Sequence, residues 1–266
     1  MKINNIKFNI RIQGRGKPLI WGHGLTSSMI GEDALNLFRW GEFSKNMQII
    51  RYDARGHGET ESTYLPDHYR WQHLAEDMTA IADALNLDTY SAGGQSMGCA
   101  TAIHAALKVP HRIKGLVLVT PPTAWEKRKA HAAYYARMAR TGGLFGGRLL
   151  AGLVNRRLKN NPPDWLAGAP EAKIKSTAVG LKSIRRKTLS VLFKGAALTD
   201  LPPREAIQSI DTPVLILAWA GDQGHPVEVA DELNALLPRS SLGVAKQYSD
   251  IEKWPQRIED FISGID

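Results

Sequence analysis

The chain is nearly without cysteine: Cys99 is the only one in 266 residues. No internal disulfide can form, and a reducing, cytoplasmic setting is the default expectation. No apolar run approaches the roughly eighteen residues that a membrane-spanning helix needs. The opening stretch MKINNIKFNIRIQG alternates apolar and polar residues and lacks the apolar block of a secretory signal, so it is read as strand. Internal repeats and low-complexity tracts are absent as well. Two further gaps are local. Histidine is missing from everything after His225, and acidic residues are scarce in one internal segment.

What is present is ordinary for a globular protein, with 43% hydrophobic and 23% charged residues. The length suits one large domain with a sizeable core. The net charge of +8 is unevenly placed. Residues 121–210 hold 17 of the 34 Lys and Arg but 5 of the 26 acids, an excess of 12 positive charges. The remainder carries 17 against 21, or −4. Nucleic acid, an anionic membrane surface, an anionic substrate and a plain solvated helical face each account for such a segment. It lacks the interleaved aromatics that stack single-stranded bases, so nucleic acid is not expected as a partner. Stable membrane insertion is not expected either. Oligomeric state is not legible.

Along the chain, Ile6, Phe8, Ile10 and Ile12 alternate as a half-buried strand does. PLIWGHG at 18–24 and MQIIRYDARGHG at 47–58 are short apolar runs closing in glycine loops, the pattern of buried parallel strands. Leu74, Met78, Ile81 and Leu85 predict a helix over 70–87; TYSAGGQS at 89–96 reads as a strand leading into a turn at Ser96, a small-residue helix follows to about Lys108, and a further strand is expected at 113–122. From about Pro121 to Ile210 the strands stop. Leu149, Leu150, Leu153, Val154 and Leu158 form one apolar stripe, and Ile174, Ala178, Leu181 and Ile184 another, punctuated by NNPPDW and LPPRE. A strand at 213–221, a helix at 227–237, a weak strand near 241–247 and a last helix from Trp254 follow. The pattern predicts a mostly parallel α/β sheet covered on both faces, with residues 1–120 and 211–266 as its core and 121–210 as a basic helical insertion.

Chemistry concentrates at Gly94-Gln95-Ser96-Met97-Gly98, between a predicted strand and a predicted helix. An abrupt strand-to-helix turn cramps the backbone at the serine, so the residues two away must lack side chains. Such a turn lifts the hydroxyl above the sheet and aims a helix N-terminus at developing negative charge. Cys99, on the same helix, is read as a small buried residue.

These pieces resemble the α/β-hydrolase fold family over nearly the whole chain. His23-Gly24 resembles the start of the family's oxyanion loop. DARGHG at 53–58 resembles a structural loop, the 121–210 insertion falls where the family places a helical cap, and GDQGHP at 221–226 resembles the acid loop. The resemblance implies Ser96 as nucleophile and Asp222 as acid. It also implies the backbone amides of Leu25 and Met97 as oxyanion donors, with His23, Gly24, Gly94 and Gly98 as supporting loop residues. His57 is read as a hydrogen-bonded loop residue.

The departure is the base. Family members carry a histidine shortly before a proline like Pro255, but this chain reads AKQYSDIEKWP there. A serine without a base stays protonated and is a poor nucleophile. His225, three residues past Asp222, is the candidate for a moved base, with His23, His57 and His131 as substitutes. Pro226 keeps His225 extended, and the helix start beyond it disfavours imidazolium. The expected activity is hydrolysis of a small carboxylic ester or lactone through an acyl-enzyme, by an esterase or lactonase requiring neither metal nor organic cofactor. The competing expectation is a ligand-binding or sensor protein on a scaffold that lost its histidine.

Overall fold

The computed structural model describes residues 1–42, 46–160, 169 and 178–265. Two short strands, β1 (Lys2–Ile3) and β2 (Ile6–Lys7), pair as an antiparallel ribbon. The main sheet comprises β3 (Ile10–Gly14), β4 (Lys17–Gly22), β5 (Met47–Tyr52), β6 (Tyr90–Gln95), β7 (Ile113–Val119), β8 (Val214–Trp219) and β9 (Ser240–Ala245). Their spatial order is β3-β5-β4-β6-β7-β8-β9, and only β3 runs antiparallel.

Alternation within the strands divides the core. Ile20, Ile50, Ala92, Leu116, Leu118 and Ile216 face one side, under α2 (Trp71–Ala84), α3 (Met97–Lys108) and α8 (Val227–Leu236). Leu19, Trp21, Ile49, Val117, Val119 and Leu217 face the other, with Phe38, Trp40 and the Trp254–Ser263 helix, α10. Both faces being covered explains why these strands read as continuous apolar runs. Fully burying one such side chain contributes about 1.5–3 kcal/mol.

The strand expected over 6–12 is divided: Ile6 and Phe8 enter the core, whereas Ile12 is exposed on edge strand β3, which has a partner on one side only. α1 (Met29–Leu35) starts at Ser28, whose hydroxyl accepts from the Gly31 amide. Between β7 and β8 runs a helical insertion: α4 (Arg128–Asn160), α5 (Val179–Ser183), α6 (Arg186–Ala197) and α7 (Arg204–Gln208). α9 (Tyr248–Ile251) lies between β9 and α10. Of the first apolar stripe, Leu150 is buried, but Leu149 and Leu153 face solvent, because α4 buries one narrow face on its neighbours. Ala178, Leu181 and Ile184 of the second stripe are buried; Ile174 and most of NNPPDW lie outside the described residues.

Chain order reverses at β4, which pairs with β5 on one side and β6 on the other. A crevice opens beyond the carboxyl ends of parallel strands at such a switch point. Gly22 and Ser96 stand at those ends.

Candidate active site

Three glycines let β4, β6 and α3 meet. A Cβ on Gly94 or Gly98 would overlap the Gly22 carbonyl oxygen, so neither position admits a side chain without displacing backbone. Ser96 between them takes φ 53°, ψ −106°, a strained conformation for a residue with a side chain. Its amide is fixed by donation to Val119 O at 2.9 Å. The hydroxyl therefore stands where strand ends and helix begins.

β8 ends in Trp219, and the loop after it turns back towards Ser96. The Ser96 hydroxyl lies 2.8 Å from Nε2 of His225, and His225 Nδ1 lies 2.7 Å from Oδ2 of Asp222. The carboxylate accepts from Nδ1–H, which leaves Nε2 with a lone pair towards the hydroxyl. A three-residue offset thus allows one loop to supply both groups. Asp222 Oδ1 accepts from the Gly224 amide at 2.8 Å, and Oδ2 accepts also from Trp219 Nε1 at 2.9 Å. Burial opposes the charge on Asp222. The hydrogen bonds from His225, the Gly224 amide and Trp219 outweigh it and hold the carboxyl well below the usual carboxylate range. Where the resemblance led a histidine to be expected, the chain forms the short helix α9, whose Asp250 accepts from the Lys246 amide.

The loop after β4 lies against the serine. A Cβ on Gly24 would stand 3.7 Å from Ser96 Cβ. Two buried imidazoles fix this loop. His23 Nε2 accepts from the Ala54 amide at 2.9 Å while Nδ1–H donates to Gly24 O at 2.8 Å. His57 Nε2 accepts from the Thr26 amide at 3.3 Å, and its Nδ1–H donates to Arg55 O at 3.0 Å. Burial pushes His57 down to about 3, with His23 adding to the shift, and lowers His23 as well. Both rings are neutral and fully engaged by backbone, so neither is placed to serve Ser96. The Ser27 amide donates to Gly24 O, and Met97 opens α3, where an amide has no partner within its own helix.

The DARGHG loop holds this arrangement from behind. Asp53 accepts from the Met29 amide, Asn9 Nδ2 and the Glu59 amide, while Arg55 makes a two-point pair with Asp77. Cys99 is buried, with its thiol donating to Gly94 O and Val119 O, and burial pushes it well above the usual thiol range.

His131, on α4, lies beside Gly224 of the loop after β8 and packs edge-on against Tyr135, with ring centroids 4.5 Å apart. Burial lowers it to about 4, with Arg128 and His225 adding to the shift. Arg128, one turn earlier, is itself buried and donates to Thr199 O and Ala196 O beneath the ring of Trp71. It ties the start of α4 to the loop before α7. Among the described residues no group of three or more His, Cys, Asp or Glu side chains is arranged to hold a metal ion.

Residues 42–251 match the family model for the alpha/beta hydrolase fold. The chain belongs to that family. As an alpha/beta hydrolase it is 28% identical over 218 residues to a protein from Agrobacterium fabrum named carbamate hydrolase RutD, covering 82% of this chain and 81% of the relative. Among solved structures it is similar to the enol-lactonase from Burkholderia xenovorans LB400 (TM-score 0.78, 20% identity, 98% of each chain). It is also similar to a thermophilic esterase from Thermogutta terrifontis (TM-score 0.75, 20% identity, 96% of this chain and 91% of that one). These two likenesses are likenesses of fold.

Two neighbours of this alpha/beta hydrolase site were not singled out from sequence. Trp219 reads simply as the end of an apolar strand, yet a buried indole N–H needs an acceptor, and Asp222 is the first acid beyond it. Arg128 is hidden among the basic residues of the insertion, which give no sign of which one turns inward.

Proposed function

We propose that the protein is a serine hydrolase that cleaves small carboxylic esters or lactones through an acyl-enzyme. The observation that supports this reading is the continuous contact from Ser96 through His225 to Asp222. In this mechanism Ser96 Oγ attacks the acyl carbon as its proton passes to His225 Nε2. Asp222 holds the ring and stabilises the imidazolium, and the amides of Leu25 and Met97 receive the oxyanion. The imidazolium then protonates the leaving alkoxide. Water, deprotonated by the same nitrogen, attacks the acyl carbon, and the imidazolium returns that proton to Ser96 Oγ as the acyl–oxygen bond breaks and the acid leaves. No step calls for a metal or organic cofactor. Residues 121–210 would act as a cap over a core of 1–120 and 211–266, in a cytoplasmic protein, and their positive charge would favour an anionic substrate.

A carbamate is a second substrate class, favoured by the name of the Agrobacterium fabrum relative. It would use the same serine and leave a carbamoyl group on it. A panel of aryl ester, lactone and aryl carbamate, followed at steady state and in the first turnover, tests the proposal. Ester or lactone turnover is expected to be fastest, and aryl ester cleavage is expected to show a stoichiometric burst if acyl release limits the rate. Carbamate turnover above both would assign the second class. Absence of turnover on all three, with ligand binding retained, would return the protein to the sensor reading.

Trp219 enters the mechanism as a positioning residue. Trp219→Phe keeps an aromatic ring beside Trp254 but removes one donor from Asp222. A hydrogen bond to a charged group corresponds to roughly a ten- to hundredfold change. That loss is expected in kcat, with KM little altered and the thermal unfolding midpoint showing an intact fold. An unchanged kcat would remove Trp219 from the mechanism.

A further inference from the structure

The helical insertion carries a surface that hydrolysis does not use. α4 contains eight Lys or Arg and no Asp or Glu. At Gly146 the helix kinks, with φ 76° and ψ 171°. Beyond the kink one side turns inward: Leu150 and Ala151 are buried, and a Cβ on Gly147 would overlap the Leu181 carbonyl. The opposite side presents Leu149 and Leu153, one turn apart and 51% and 55% exposed, and just before the kink Leu144 is 68% and Phe145 58% exposed. Four of the large hydrophobic residues most exposed among the described residues thus fall within ten positions. Arg148, Arg156 and Arg157 are exposed on the same stretch of α4, and none pairs with a described carboxylate. Arg186 of α6 lies against Gly146 at the kink.

We propose that this face docks the protein on the surface of an anionic lipid bilayer. Each half of the surface limits the choice of occupant. A nucleic acid would engage the guanidinium groups but leave three leucines in water. A neutral apolar partner would cover the leucines but leave the exposed arginines of α4 unmatched. At the boundary of an anionic bilayer, lipid phosphates face the arginines and acyl chains receive Phe145 and the leucines. The helix lies along the surface and does not cross it; no helix among the described residues is long and apolar enough to span a membrane.

Vesicle co-sedimentation tests the docking directly. The full chain is expected to pellet with phosphatidylcholine vesicles containing about 30% phosphatidylglycerol at about 0.1 M salt, and to remain in solution with phosphatidylcholine alone. Raising the salt to 0.5 M is expected to release most of it, because screening shortens the reach of each charge. The triple variant Phe145→Ser, Leu149→Ser, Leu153→Ser and the double variant Arg156→Gln, Arg157→Gln are each expected to weaken partition by about tenfold or more. Circular dichroism and the melting temperature confirm that both variants fold. Failure to bind anionic vesicles would overturn the proposal, as would equal binding to neutral ones. Wild-type binding by the triple variant would reduce the interaction to charge adsorption and also refute the docked apolar face. A wild-type dimer in sedimentation velocity that the triple variant abolishes would assign the face to a second copy of the chain instead.

Discussion

Ser96→Ala is expected to lower kcat on short aryl esters by about four to six orders of magnitude, leaving the thermal unfolding midpoint close to that of the parent. The size follows from what is removed. Without Oγ no acyl-enzyme forms, and water must attack a substrate held only by binding and the oxyanion amides. Those elements alone retain roughly a thousandfold or more over the uncatalysed reaction, so a small residual rate remains. The fold has little reason to suffer. Ser96 keeps its backbone bond to Val119, and alanine enters the same strained conformation without a larger side chain. A loss of only tenfold would show that another group carries the acyl transfer.

His225→Asn is expected to cost nearly as much as loss of the serine. Asparagine preserves a polar side chain in the loop but cannot take a proton from Ser96 and later return it. The double variant Ser96→Ala, His225→Asn should be little worse than either single one, because the two groups act as a unit. The pH dependence follows from the partner. Asp222 is held well below the usual carboxylate range and so stays ionised over the whole working range. The pH–activity profile of the parent is therefore expected to carry no limb from this carboxylate. An acid limb that disappears in Asp222→Asn would indicate that the carboxylate titrates in that range. Substantial neutral-pH activity in His225→Asn would remove the histidine from the mechanism and leave the serine's base unassigned.

The sheet was readable because burial on both faces writes itself into strands as apolar runs, and Gly94, Ser96 and Gly98 were readable because backbone crowding leaves so few alternatives. His225 emerged from an absence: with no histidine beyond it, the acid loop was the remaining place near the sheet's carboxyl edge. Contacts that depend on which way a side chain turns were not legible. Nothing in the spelling of α4 separates buried Leu150 from exposed Leu149, since both belong to one dense apolar stripe and only tertiary packing decides between them. Ile12 alternates correctly yet sits on an edge strand. Trp219 needed the turn of its loop to bring Asp222 beneath the indole.

The central claim is that one loop after β8 supplies both the base and the acid for Ser96. A crystal structure of the protein after reaction with a fluorophosphonate tests it most directly. The account predicts phosphorus bonded to Ser96 Oγ, a phosphonyl oxygen within hydrogen-bond reach of the Leu25 and Met97 amides, and Nε2 of His225 facing the adduct with Asp222 on Nδ1. An adduct elsewhere, an unmodified Ser96, or a phosphonylated Ser96 faced by a side chain other than His225 would contradict it.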